Sequence, residues 1–126
     1  MTPRPVIAAL VLAFASAALA QPAAAPPSGS PEAGENLFYD RCAICHVAEG
    51  GGQGPSLKGL YGRKAGSMPG FTYSEALKAS GLNWTGPDLN RFLTNPGLAV
   101  PGTAMPILVP DAKARADLIS YFAAHP

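Results

Sequence analysis

Apolar residues in the C-terminal part of the chain recur at the three- and four-residue intervals that mark one face of a helix. Leu118, Tyr121 and Phe122, flanked by Arg115, form one such stripe, and Asp111 stands ahead of it as a candidate N-cap. Leu89, Phe92 and Leu93 form a second. Thr85 and Asp88 precede it at capping-box spacing, and it closes near Asn95-Pro96, because a residue before proline is steered away from helical backbone. Thr72 and Glu75 repeat the capping-box spacing ahead of a short helix. Ser30 and Pro31 open the first helix, where a proline costs nothing because the N–H it lacks has no helical partner. That helix is predicted to carry Gly34, Phe38 and Cys42 on one face. The predicted class is all-α, with stripes that must meet something apolar.

The N-terminus follows another pattern. Arg4 precedes an apolar run at residues 6–17, which ends in Ala18-Leu19-Ala20 before Gln21. A positive start, a short apolar stretch and a small-residue site are the parts of a cleaved export signal. A retained anchor is the competing reading, but a spanning helix needs about 20 apolar residues and this run is shorter. Residues 1–20 are read as a signal peptide, and residues 21–30, rich in Pro, Ala and Ser, as an extended leader. Residues 31–126 are read as the folded domain, outside the cytoplasm.

Composition narrows the function. The chain has 126 residues and a formal net charge of +1, enough for one small domain and not for a multi-domain enzyme. No Gly-rich phosphate loop, Ser/His/Asp set or basic nucleic-acid stripe is evident. Glu32 and Glu35 read as first-turn helix charges and are given no chemistry. A domain of this size buries a modest core, so something besides its own side chains is expected to supplement it.

Cysteine placement indicates what that is. The only two, Cys42 and Cys45, lie three apart, with His46 immediately after. A disulfide closing so short a loop removes little denatured-state entropy and would be a poor staple. Cys42-Ala43-Ile44-Cys45-His46 is instead the attachment signature of a c-type haem, in which both thiols join one porphyrin and the imidazole faces its iron. Two other chemistries use similar residues. A thioredoxin-like pair would follow a strand, and no alternating β-branched run precedes Cys42. A zinc site needs about four nitrogen or sulfur ligands, and only His125 remains.

Further motifs make the chain resemble the class I cytochromes c, and specifically bacterial periplasmic relatives of mitochondrial cytochrome c. They are Gly54-Pro55-Ser56-Leu57, Leu60-Tyr61-Gly62-Arg63-Lys64, Gly70-Phe71-Thr72-Tyr73, Asn95-Pro96, Pro101-Gly102-Thr103 with Met105, and the run from Arg115 to Tyr121. The resemblance implies a few helices around one covalent haem c, with Cys42 and Cys45 as attachment points and His46 and Met105 as axial ligands. It implies that the Pro55 carbonyl accepts the second ring N–H of His46, and that Tyr73, Trp84 and Arg63 hold the propionates. It implies that Gly34 and Phe38 pack on Leu118 and Tyr121 where the first and last helices cross. Such a site suits a non-enzymatic, monomeric periplasmic carrier, passing single electrons between larger redox proteins and binding no nucleic acid. A dedicated haem subunit of a periplasmic dehydrogenase, and a membrane-tethered cytochrome, are the alternative settings.

The chain departs from the mitochondrial pattern in three respects. Leu77 stands where that pattern has an asparagine, and Phe92 where it has a tyrosine beside the methionine. Gly97-Leu98 and Ala104 occupy stretches that there carry lysines. Without residues 1–20 the chain has eight basic and eight acidic residues, Arg4 being the one charge removed from nine and eight. A strong cationic docking ring is therefore not expected, although Arg41, Lys58, Arg63 and Lys64 leave a small positive patch. An apolar rim near Met105 is expected from Leu98, Ala99, Val100 and Ala104.

Overall fold

The computed structural model describes residues 27–126, so the expected signal peptide and most of the leader lie outside the described residues. Among the described residues the chain forms α1 (Pro31–Arg41), α2 (Glu75–Ala79), α3 (Gly86–Thr94), α4 (Pro96–Ala99) and α5 (Ala112–Ala124). No strand is present among them. One isolated antiparallel bridge joins Lys64 to Asn83. None of these helices is long and apolar enough to cross a membrane.

Local chemistry sets most helix starts as expected. The side chains of Ser30, Thr85 and Asp111 accept from the N–H groups of Ala33, Asp88 and Ala114, each relieving one donor that a helix start leaves unpaired. The start of α2 differs from expectation. Ser74, not Thr72, is the N-cap, its hydroxyl accepting from Leu77 N–H at 3.2 Å. A cap must sit directly before the first helical residue, and only Ser74 does. Asn95 serves twice: it ends α3 in extended backbone, and its side chain then accepts from Leu98 N–H to start α4, a helix the sequence pattern did not announce.

The first and last helices cross at Gly34. A Cβ there would run into the Asp117 carbonyl and lie 2.8 Å from Tyr121 Cβ, so the two backbones meet with no side chain between them. One turn on, the Phe38 ring packs 5.4 Å from Tyr121 and edge-on to Phe122 at 6.1 Å. Phe38, Leu118, Ile119 and Phe122 join Leu89, Phe92, Leu93 and Trp84 in one buried cluster.

The segment ahead of α1 is fastened to α5. Gly29 N–H donates to Ser120 Oγ at 2.9 Å, and Ser30 N–H donates to Asp117 Oδ1 at 2.8 Å. This explains two polar residues, Asp117 and Ser120, on the buried face of α5. Hydrogen bonds to Lys113 and then to the Ser30 amide hold the Asp117 carboxyl below the usual carboxylate range.

Candidate metal centre

Helix α1 stops at Arg41, one residue earlier than the predicted face required, and Cys42 is its C-cap. The Phe38 carbonyl accepts from both Cys42 and Ala43, at 2.8 and 2.9 Å, which widens the last turn and ends regular helix. A separate turn follows, in which the Cys42 carbonyl accepts from Cys45 at 3.1 Å and His46 at 2.9 Å. Cys42, Cys45 and His46 thus share one tight turn although they do not share a helix. Both cysteines are free thiols and half-buried. Burial pushes the Cys42 thiol up, against the lowering influence of Arg41.

His46 is fixed by the loop that follows it. Gly54 N–H donates to the Cys45 carbonyl at 3.0 Å and closes the loop. A Cβ on Gly54 would lie 2.6 Å from His46 Nδ1 and 3.1 Å from Nε2, so the ring rests directly on this glycine's backbone. Next in sequence, the Pro55 carbonyl lies 2.7 Å from Nδ1. A carbonyl oxygen can only accept, so Nδ1 carries the hydrogen and the neutral ring keeps its lone pair on Nε2. That is the tautomer an iron ligand needs, and the Pro55 contact is as the sequence implied.

Met105 lies on residues 100–110, an irregular segment tied down at both ends. Thr103 N–H donates to the Val100 carbonyl at 3.0 Å, and Val109 N–H to the Leu93 carbonyl at 2.8 Å. Gly102 sits at φ +91°, a conformation side chains disfavour. The Met105 side chain is half-buried and packs on the core cluster.

Arg115, read from the sequence only as a flank of the last apolar stripe, has a structural role that the pattern did not reveal. It is buried, and its Nη1 donates to the carbonyls of Val109 at 2.8 Å and Pro110 at 2.7 Å, while Nε donates to Asn90 Oδ1 at 2.8 Å. It locks the far end of the Met105 segment to α3 and α5. The available signal was an arginine inside an apolar helical stripe, since a buried guanidinium must find partners.

Arg63 and Trp84 are brought together, as Trp84 N–H donates to the Arg63 carbonyl at 2.8 Å. The Arg63 guanidinium bonds to the carbonyls of Lys58 at 2.6 Å and Ser56 at 3.4 Å, but its buried Nε has no partner. An unpaired charged donor in a buried position is costly, and a carboxylate arriving there would satisfy it. Trp84 is buried edge-on to Phe92 at 5.0 Å, and Tyr73 is half-buried against Phe71 at 4.9 Å. His125 is exposed beyond α5, its Nδ1 2.8 Å from the Tyr121 carbonyl. Among the described residues no group of three or more His, Cys, Asp or Glu could hold a metal ion, which disfavours a zinc site. A cleft of about 400 Å³ beside Pro55, between residues 48–58 and 68–71, is lined by none of Cys42, Cys45, His46 or Met105.

Comparison with known proteins places these features. The family model for cytochrome c matches residues 31–124. Cytochrome c of Gibberella zeae is 47% identical over 92 residues, which cover 70% of this chain and 87% of that protein. Cytochrome c type-1 of Ascaris suum is 44% identical over 93 residues, covering 71% and 83% respectively. Among solved structures, cytochrome cH from Methylobacterium extorquens superposes with a TM-score of 0.72 at 43% identity, covering 76% of this chain and 99% of that one.

Proposed function

The chain belongs to the cytochrome c family, whose members bind one covalent c-type haem, and from that premise we propose that it is a periplasmic electron carrier, not an enzyme, with its haem held by Cys42, Cys45, His46 and Met105. When bound, the haem supplies a one-electron Fe(III)/Fe(II) couple. The remaining roles belong to the chain. Cys42 and Cys45 anchor the porphyrin through thioethers. His46 presents Nε2, with Pro55 and Gly54 setting the ring's tautomer and tilt. Met105 offers the second ligand, and Arg115, through the carbonyls of residues 109 and 110, holds the segment that bears it. Arg63, whose buried Nε has no partner, would be free to donate to a haem propionate. With His46 and Met105 both bound, the iron would have no open position for a substrate, which suits electron transfer without bond making.

The observation that carries this reading is the His46 ring, seated on Gly54 and bonded to Pro55 at 2.7 Å, in the same turn as two free thiols. The export signal read at residues 1–20 supports the periplasmic setting, with residues 31–126 as the haem domain.

The test is the ferric spectrum of the purified holoprotein with and without Met105→Ala. The wild type should show the far-red band of thioether ligation. The variant should lose it, and its midpoint potential should fall by on the order of 0.1 V, part of the roughly 0.8 V that axial ligation spans. An unchanged spectrum and potential would remove Met105 from the iron.

A further inference from the structure

Residues 27–126 contain two methionines, Met68 and Met105, and only Met105 has a part in the function proposed above. Met68 stands on a turn bracketed by Gly66 and Gly70, at φ +72° and +80°, and pinned by Ser67 Oγ, which donates to the Lys64 carbonyl at 2.6 Å. Among the described residues Met105 packs on the core cluster and Met68 does not. Met68 is half-buried on the wall of the cleft of about 400 Å³ between residues 48–58 and 68–71, so a small solute entering the cleft meets its side chain. The sulfur has a charged neighbour. Arg63 Nη1 lies 3.8 Å from Met68 Sδ, and the same guanidinium donates to the carbonyls of Lys58 at 2.6 Å and Ser56 at 3.4 Å. A thioether is a weak acceptor, so the contact contributes little as it stands.

We propose that Met68 is a site of reversible oxidation by hydrogen peroxide, and that Arg63 captures the resulting sulfoxide and so lowers the midpoint potential. The sulfur lone pair attacks one peroxide oxygen, the S–O bond forms and the O–O bond breaks. The displaced hydroxide takes the proton from the transferred oxygen and leaves as water; sulfur loses two electrons and the peroxide gains two. Met105 is spared, because a sulfur bound to iron has its lone pair committed. Oxidation puts a strong acceptor on an atom already 3.8 Å from a guanidinium nitrogen, which brings it within reach of a charge-assisted hydrogen bond. The partly negative sulfoxide oxygen then offsets some of the Arg63 charge. A nearby cation disfavours ferric iron, the more positive state, so offsetting that cation favours the ferric form and lowers the potential. This coupling rests on the reading that Arg63 serves a haem propionate.

The ferric holoprotein is treated with hydrogen peroxide, the excess is removed with catalase, and trypsin then places Met68 on residues 65–78 and Met105 on residues 92–113. Peptide masses should show Met68 gaining oxygen at least about tenfold faster than Met105, with the two rates within about twofold of each other in protein unfolded in urea. The midpoint potential should fall as Met68 is converted, and return when methionine sulfoxide reductases A and B remove the oxygen. Met68→Leu, a substitution that roughly keeps the volume, should start at the wild-type midpoint with the far-red band intact and show no fall. Equal or faster oxidation of Met105 overturns the proposal, as does a midpoint that stays put once Met68 is converted, or a fall that Met68→Leu shares. Arg63→Gln separates that failure from failure of the reading beneath it. Before any oxidation this variant should already have a lower midpoint than the wild type, and an unchanged value would defeat the propionate assignment instead.

Discussion

Replacing Gly34 by alanine tests the helix crossing on which the fold depends. The added methyl would overlap the Asp117 carbonyl and sit 2.8 Å from Tyr121 Cβ. Comfortable carbon contacts begin near 3.5 Å, so α1 and α5 must part by on the order of 1 Å. Neither obstacle is a flexible side-chain end, and no rotamer change relieves the clash. A gap of that size forfeits about a quarter to a half of each dispersion contact along the seam, which includes Phe38, Leu118 and Phe122. Overpacking typically costs about 1–3 kcal/mol, and a backbone clash belongs at the top of that range. Alanine recovers about 1 kcal/mol of helix propensity, leaving a net loss of about 2 kcal/mol or more. For a domain of this size that lowers the melting temperature by roughly 8–16 °C. Gly97→Ala is the internal control. A methyl there meets only Asn95 Oδ1 at 3.6 Å, so the substitution should be neutral or mildly stabilising. The assay is thermal unfolding of the ferric holoprotein followed by far-ultraviolet circular dichroism. If Gly34→Ala melts within about 2 °C of the wild type, the close crossing is not a stabilising contact and the reasoning fails.

Three further outcomes are expected. Arg115→Met leaves the carbonyls of Val109 and Pro110 without their charged donor, and should cost about 2–4 kcal/mol in urea unfolding while weakening the far-red thioether band; stability lost with the band intact would detach Arg115 from Met105. Asp117 titrates lower in the native protein than in the unfolded chain, so its bonds to Lys113 and the Ser30 amide contribute stability above roughly pH 4 that disappears as pH falls through the native pKa; Asp117→Asn should therefore be less stable at neutral pH and converge on the wild type in acid, which acid titrations of both proteins would show. Apoprotein prepared without haem should lack near-ultraviolet circular dichroism, because Arg63 keeps an unpaired buried donor and the small core loses its largest apolar component; a native-like signal would contradict the cofactor's part in folding.

How much of this could be read from the sequence depended on the distance over which each determinant acts. Ser30, Thr85 and Asp111 cap helices through groups three residues away, and each is legible because its partner lies in the same turn. The Cys42 to His46 block is legible for the same reason. Thr72 misled because two hydroxyls stood within capping reach of α2, and only backbone geometry selects Ser74. The short helix α4 was hidden because its start reuses the residue that ends α3. The seating of the leader on α5 was beyond reach, since Ser30 and Asp117 are 87 residues apart and nothing in either segment announces the other.

The same distinction divides the candidate centre into two unlike halves. His46 is oriented by Gly54 and Pro55, eight and nine residues along, within one loop that closes on itself at Cys45. Its placement survives whatever happens to α5. Met105 has weaker local support, a Thr103 N–H bond to the Val100 carbonyl at 3.0 Å and its own N–H 3.5 Å from Thr103 Oγ1. The far end of its segment, at residues 109 and 110, is held by Leu93 of α3 and Arg115 of α5, so the side chain's position also depends on the packing of those two helices. Local bonds persist through partial unfolding and distant ones do not, because only the latter depend on global packing. The Met105 half of the proposed site is therefore the softer of the two, and the residues that govern it lie on helices whose sequence motifs make no reference to a metal.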